Sequence, residues 1–224
     1  MNPGGCFLFF VKNPVPGRVK TRIGRVVGFE KAARLYKCFV LDMLETFSTL
    51  DVPLRVHFHP PEAEAEIGRA FRLKCDIFPQ QGPDLGRRME NAFSLAFAHG
   101  FDRAVLVGSD IPDYPAALLA RALKALMDSD AVVGPSRDGG YHLIGFRKST
   151  YAPEVFDGPK WSGPDVLEQT LSIMARKNIS PAVWPLWTDM DRIEDLKSLM
   201  ARPKGDHFVS SKTFGLLKTL PPAG

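Results

Sequence analysis

The chain is expected to fold as a three-layer α/β/α sandwich around a mostly parallel central sheet. Two unbroken apolar runs, Cys6–Val11 and Ala104–Val107, suit strands buried on both faces, as in the middle of a parallel sheet. Between and beyond them, stretches with apolar residues every three to four positions have the pattern of helices packed along one side. Strand and helix segments alternate along the chain, so the helices must cover both faces of one sheet. At 224 residues the chain can bury a sizeable core. One domain is expected over residues 1–202; residues 203–224, with Pro, Gly and scattered apolar side chains, form a C-terminal tail without an assigned role.

An apolar content of 45%, a charged content of 24% and a net charge of +4 are ordinary for a water-soluble domain. The charge is too mild for a dedicated nucleic-acid binder and suits one local anion site. Cys6, Cys38 and Cys75 are odd in number and form no C-x-x-C pair, which points to reduced thiols. The first apolar run lacks a basic segment before it and is too short for a signal peptide or a membrane span. A cytoplasmic protein is expected.

Taken in order, Cys6–Val11 is the first strand. Between Lys12 and Arg25 follow five cations (Lys12, Arg18, Lys20, Arg22, Arg25) and no acid. Pro14, Pro16 and Gly17 turn and stiffen this stretch, so its cations are held together as a grip for a di- or triphosphate. It matches neither the Walker A loop nor the dinucleotide-binding glycine fingerprint. Phe29–Leu50 has helical periodicity. Leu54–His59 is a strand ended by Pro60-Pro61, its two histidines expected as strand-end groups facing solvent rather than metal ligands. Glu62–Phe71 is a short helix and Leu73–Phe78 a weaker strand. Asp84 is a natural N-cap for a helix burying Leu85, Met89, Ala92, Phe93, Ala96 and Phe97. Before it, Gln81 can present an amide to a base, and Arg87 or Arg88 can meet phosphate.

The segment Arg103–Tyr114 is the centre of the chain. Pro112 cannot continue the sheet ladder, so Asp110 stands at the carboxyl end of a central strand, where ligands bind in open α/β sheets. A carboxylate there can hold a divalent cation; Asp113 can do so too, or cap the helix expected from Pro115 to Met127. Ala131–Gly134 and Tyr141–Phe146 are strands joined through the hairpin signal Asp138-Gly139-Gly140. Ser162 is the expected N-cap of a helix running to Lys177, and Trp161 beside it can stack on a sugar or base or pack in the core. Ala182–Trp187 is the last strand. Asp191 follows it and, with Glu194, fits a capping box.

Several of these pieces occur together in one known family, and in its order. They are Lys12-x-Pro14-x-Pro16-Gly17-x-x-Lys20-Thr21-Arg22, Asp84-Leu85-Gly86-x-Arg88-Met89, Gly108-Ser109-Asp110-x-Pro112-Asp113 and Gly134-Pro135-x-x-Asp138-Gly139-Gly140-Tyr141. Trp161-Ser162 and Asp189-x-Asp191-x-x-Glu194-Asp195-Leu196 complete the set. The chain resembles the bacterial glycosyltransferase-like family with the nucleotide-diphospho-sugar transferase (GT-A) fold, distantly related to the molybdenum-cofactor and phospholactate guanylyltransferases. Ser109, Ile111, Gly163 and Arg192-Ile193 depart from its usual residues, and the glycine-rich signature of the molybdopterin guanylyltransferases is absent.

The resemblance implies that fold and a nucleotide-linked donor, with the Asp138 turn on the acceptor side. Candidate ligands for Mg²⁺ or Mn²⁺ are Asp110 and Asp191, with Asp110 and Asp138 catalytic. Lys12, Arg18, Lys20, Arg22, Gln81, Arg88, Gly139, Gly140, Tyr141 and Trp161 are the candidate nucleotide and substrate contacts. A metal-dependent glycosyltransferase using a nucleotide-sugar is the first expectation. A nucleotidyltransferase taking a nucleoside triphosphate is the second, and a non-catalytic nucleotide-binding domain the third. The acceptor is an unidentified small molecule in either enzyme.

Overall fold

The computed structural model describes residues 4–159, 161, 163–201 and 206–219, with the side chains of residues 206 and 207 left aside. Strand β1 (Cys6–Lys12) alternates its side chains between two cores. Phe7, Phe9 and Val11 enter one, while Cys6, Leu8 and Phe10 enter the other, which is why the run has no polar face. Its parallel neighbours are β2 (Leu54–His59) and β4 (Arg103–Gly108). The whole sheet has seven strands in the order β3-β2-β1-β4-β6-β5-β7, with β3 at Asp76–Pro79, β5 at Ala131–Pro135, β6 at Tyr141–Arg147 and β7 at Pro181–Val183. All described pairings are parallel except those of β6, which runs antiparallel to both β4 and β5.

Helix α1 (Thr21–Val27) leads into α2 (Phe29–Ser48), whose apolar stripe covers β1 on the first core. Helix α3 (Glu64–Phe71), helix α5 (Ala116–Ala125) and helix α7 (Ile193–Ala201) bury side chains in the same core. Helix α4 (Leu85–Ala98) and helix α6 (Val166–Arg176) cover the opposite face. Asp84 caps α4 as expected, its carboxylate accepting from the Arg87 amide at 2.9 Å. Among the described residues no helix is long and apolar enough to cross a membrane.

Several expected details are corrected. Leu85 is exposed, and the buried face of α4 begins with Gly86 and Met89 instead. The third strand begins later than Leu73, at Asp76, and pairs only at the sheet edge. The last strand stops at Val183, since Pro185 has no amide to donate; a single bridge from Trp187 to Ser136 continues the pairing. His57 does not face solvent. It is 2% exposed, packed between the rings of Phe10 and Phe78. Ser162, the expected cap of α6, lies outside the described residues. The C-terminal stretch also has a place: α9 (Lys212–Leu217) docks on α2, and α8 (Asp206–Val209) packs against α9. There the buried Asp42 carboxylate accepts from the amides of Lys212 and Thr213 at 2.9 and 2.8 Å.

Candidate active site

Because β1 and β4 are parallel and in register from Cys6 opposite Ala104 to Phe10 opposite Gly108, the chain leaves both at the same edge of the sheet. The basic loop after Lys12 and the carboxylate of Asp110 therefore meet. Loop geometry is fixed from both ends. The Asn13 amide donates to the His59 carbonyl at 2.8 Å, the Arg18 amide donates to Val15, and Val19 and Ile23 anchor the far side in the core.

Asp191 arrives by a longer route. Its segment follows an edge strand, but the Arg137 amide donates to the Trp187 carbonyl and the Met190 amide donates to the Asp110 carbonyl at 2.8 Å. The stretch after β7 is thus drawn back across the strand ends to the centre. Asp191 is not a helix cap. Asp195 fills that role, its carboxylate accepting from the amides of Asp191 and Arg192 at 3.1 and 2.7 Å, and so leaves the Asp191 side chain free of it. The Asp113 carboxylate accepts from the Trp187 indole at 3.0 Å.

Between the two carboxylates stands Lys20. Its ammonium donates to Asp191 Oδ1 at 2.8 Å and forms an ion pair with Asp110 Oδ1 at 2.8 Å, without hydrogen-bond alignment to the latter. The two oxygens are therefore at most the sum of those distances apart, about 5.6 Å. The Lys20 side chain is 4% exposed, against 35% and 39% for the two aspartates. Burial opposes the charge on Lys20, but the two carboxylates outweigh it and hold the ammonium above its usual pKa. For Asp191, burial pushes upward, yet Lys20, Arg22 and Lys12 prevail and hold it below the usual carboxylate range. Asp189, two residues away, is raised to about 7, chiefly by burial, with the charges of Asp110 and Asp138 adding to it and the nearby Lys20 charge opposing it.

Lys12, Arg18, Lys20 and Arg22 line one pocket with Asp110 and Asp191. At its base the buried Tyr36 hydroxyl accepts from the Lys12 amide at 2.7 Å and shares a hydrogen bond with Ser109 Oγ at 2.9 Å. This ties the start of the basic loop to the residue before Asp110. Lys12 and Arg18 also line an adjoining pocket, where Arg88 and His59 join them. Arg88 donates to the Gly82 carbonyl from Nε at 3.0 Å, whereas Arg87 is turned away toward Glu90 and Asp157.

The remaining candidates are not gathered into that pocket. Gln81 is exposed beyond it; Gln80, in contrast, is buried, joining the Val11 and His57 carbonyls. Asp138 is exposed and accepts from the Gly140 amide at 3.1 Å. Gly139, at φ +89°, presses on the Pro164 backbone so closely that a Cβ would sit 1.7 Å from its carbonyl oxygen. A side chain is thereby excluded at this position by the fold itself. The Tyr141 hydroxyl points inward to Met89 Sδ at 3.9 Å, and the Trp161 ring packs beside Tyr141 and Phe156 and over Gly86.

Tyr36 and Asp189 had not been singled out as site residues. A tyrosine in an apolar helical stripe needs a partner for its hydroxyl, which was the available signal for the first. The Asp189-x-Asp191 spacing was the signal for the second.

A family model described as an uncharacterized protein conserved in bacteria (DUF2064) matches residues 43–163. No curated protein matches the chain. A crystal structure from Desulfovibrio desulfuricans G20, of a protein provisionally named a nucleotide-diphospho-sugar transferase, is 45% identical with a TM-score of 0.92; the match covers 96% of this chain and 94% of that one. A CMP:2-keto-3-deoxy-manno-octonic acid synthetase complexed with CTP superposes with a TM-score of 0.56 at 10% identity, covering 89% and 99%. The Rv0371c protein of Mycobacterium tuberculosis H37Rv, in complex with manganese, gives 0.52 at 14% identity, covering 90% and 100%. At such identities these last two share the fold alone, and the fold is that of the nucleotide-diphospho-sugar transferases.

Proposed function

The chain belongs to the DUF2064 family, and we propose that it is a metal-dependent transferase using a nucleotide-linked donor, specifically a nucleotide-sugar-dependent glycosyltransferase. The observation that carries this reading is the Lys20 ammonium held between Asp110 and Asp191 in an otherwise basic pocket. Two carboxylates this close repel unless a cation lies between them. A hard ion with ligand distances of about 2.0–2.6 Å spans oxygens up to about 5.2 Å apart, so a pair held within about 5.6 Å needs at most a small side-chain movement to share it. Among the described residues no three His, Cys, Asp or Glu side chains converge as a metal-binding group. That donor set suits Mg²⁺ or Mn²⁺ bound by one or two carboxylates, with phosphate and water in the other positions. It does not suit zinc.

In this reading Asp110 and Asp191 hold the ion, and Lys12, Arg18, Lys20 and Arg22 grip the donor's phosphates. The ion, when bound, offsets negative charge on the departing diphosphate. Tyr36 keeps the loop and Asp110 at a fixed separation. Asp138 serves the acceptor side; Gln81 and Arg88 flank the nucleotide's far end, and the backbone at Gly139 and Gly140 borders the acceptor. Tyr141 and Trp161 support that wall from the core side.

A second reading, nucleotidyl transfer from a nucleoside triphosphate, is favoured by one observation. The adjoining pocket adds Arg88 to Lys12 and Arg18, more positive charge than a diphosphate needs. The products separate the two: glycosyl transfer releases a nucleoside diphosphate, nucleotidyl transfer releases pyrophosphate.

The test is a thermal-shift screen of nucleoside triphosphates and nucleotide-sugars with and without Mg²⁺ or Mn²⁺, since a ligand bound only to the folded state raises Tm by mass action. We expect a metal-dependent shift that Asp110→Asn abolishes without loss of folding. No shift with any nucleotide, or an equal shift in Asp110→Asn, contradicts the proposal.

A further inference from the structure

Lys20 differs from the other cations of its loop. Arg18 and Arg22 are exposed, whereas the Lys20 side chain is 4% exposed and spent on two carboxylates. It also adopts a left-handed backbone, φ 46° and ψ 45°, which residues with a Cβ adopt only at a cost. The turn before α1 thus aims this side chain at the carboxylate pair.

A free divalent ion entering between Asp110 and Asp191 has to expel the ammonium, which would leave two aspartate charges facing the ion, Lys20, Lys12 and Arg22 together. Apart from the two aspartates, every charged residue in the pocket wall is a cation, Lys12, Arg18 and Arg22, so the displaced ammonium finds no other acid there. Like charges at such separations repel strongly where water is scarce. Phosphate changes the balance, because its oxygens give the ammonium a new partner and complete the coordination of the ion.

We infer that Lys20 closes the carboxylate pair to free divalent ions and that the metal enters together with phosphate, as the chelate of a nucleoside di- or triphosphate. This rests on the reading of Asp110 and Asp191 as metal ligands. Lys20 moves from the carboxylates to phosphate as the chelate binds, so the same residue guards the empty site and grips the filled one. Metal binding and nucleotide binding are then coupled, each strengthening the other.

The experiment measures Mn²⁺ binding by calorimetry and by electron paramagnetic resonance, for the wild type, Lys20→Met and Lys20→Gly, with and without inorganic pyrophosphate. Glycine suits the left-handed backbone, so the second variant keeps the loop if the first does not. Without pyrophosphate, both variants should bind Mn²⁺ at least tenfold more tightly than the wild type. With pyrophosphate, the wild type should gain at least tenfold and the variants should gain less. Equal Mn²⁺ affinity in wild type and variants without pyrophosphate overturns the inference while leaving the metal reading intact. Tight binding that survives an added Asp110→Asn overturns it as well, since the ion then lies elsewhere. If no form binds Mn²⁺ under either condition, the metal reading fails and the inference with it.

Discussion

Gly139→Ala tests whether the turn at Asp138-Gly139-Gly140 is held by its close approach to the Pro164 backbone. An alanine Cβ would stand 1.7 Å from the Pro164 oxygen, where 3.4 Å is ordinary contact, so the two backbones must part by about 1.7 Å. Such a separation breaks the hydrogen bond from the Leu167 amide to the Gly139 carbonyl, now 2.9 Å, at a cost of about 0.5–1.5 kcal/mol. Holding alanine at φ +89° adds about 1–2 kcal/mol. The total is about 1.5–3.5 kcal/mol, which for a chain of this length lowers Tm by roughly 3–14 °C. Urea unfolding and calorimetry read both quantities. Gly140→Ala is the internal control: its Cβ would meet nothing nearer than Asp138 Oδ1 at 3.4 Å, so that variant should stay within about 0.5 kcal/mol of wild type. A Gly139→Ala protein melting within 2 °C of wild type, by the same scale, refutes the close approach of turn and α6.

Two further outcomes follow from the same geometry. Asp195→Ala removes the cap that holds the Asp191 and Arg192 amides; it should cost about 1 kcal/mol of stability and also weaken metal-dependent nucleotide binding. Loss of stability with unchanged binding would mean that Asp191 needs no positioning. His57 and His142 are buried neutral, lowered to about 3 and about 4, chiefly by burial; the Arg55 charge adds to this at His57, while the Pro135 carbonyl opposes it at His142. Because the unfolded chain binds protons at these positions more readily than the folded one, their contribution is whole above pH 6.5 and is lost as pH falls from 6.5 toward 3–4. Each should remove about 1.4 kcal/mol per pH unit below 6.5. A urea midpoint unchanged between pH 7.5 and 5.5 would contradict the neutral burial of both rings.

Much of this arrangement was legible in the residues. The continuous apolar runs of β1 and β4 announced a doubly covered sheet, and the proline after Asp110 announced where the chain leaves it. With β1 and β4 parallel neighbours, the basic loop and Asp110 had to share an edge. What local patterns could not convey was how a distant segment closes on that edge. Asp191 reaches Asp110 through the backbone bond from Met190 to Asp110, a contact between residues far apart in the chain. The capping-box spacing pointed to Asp191 and Glu194, yet Asp195 won because its carboxylate reaches two amides at once. Lys20 was visible as one cation among five; its burial between two acids depends on a left-handed turn that its residue type does not favour. Trp161 looked equally suited to a sugar or base or to a core, and Phe156 and Gly86 draw it inward, as Met89 does the Tyr141 hydroxyl. Similarly, the C-terminal stretch carried no periodicity strong enough to reveal its docking, because the acid that holds it, Asp42, sits on α2.

The central claim is that Asp110 and Asp191 share one divalent ion in the presence of a nucleotide's phosphates. It is tested most directly by anomalous scattering from crystals grown with Mn²⁺ and a nucleoside diphosphate. The account predicts a single manganese peak between the two carboxylates, within about 2.0–2.6 Å of an oxygen of each, with the Lys20 ammonium moved from its present 2.8 Å contacts onto phosphate. A bound nucleotide with Lys20 still between the aspartates, and manganese absent from that position, would contradict it.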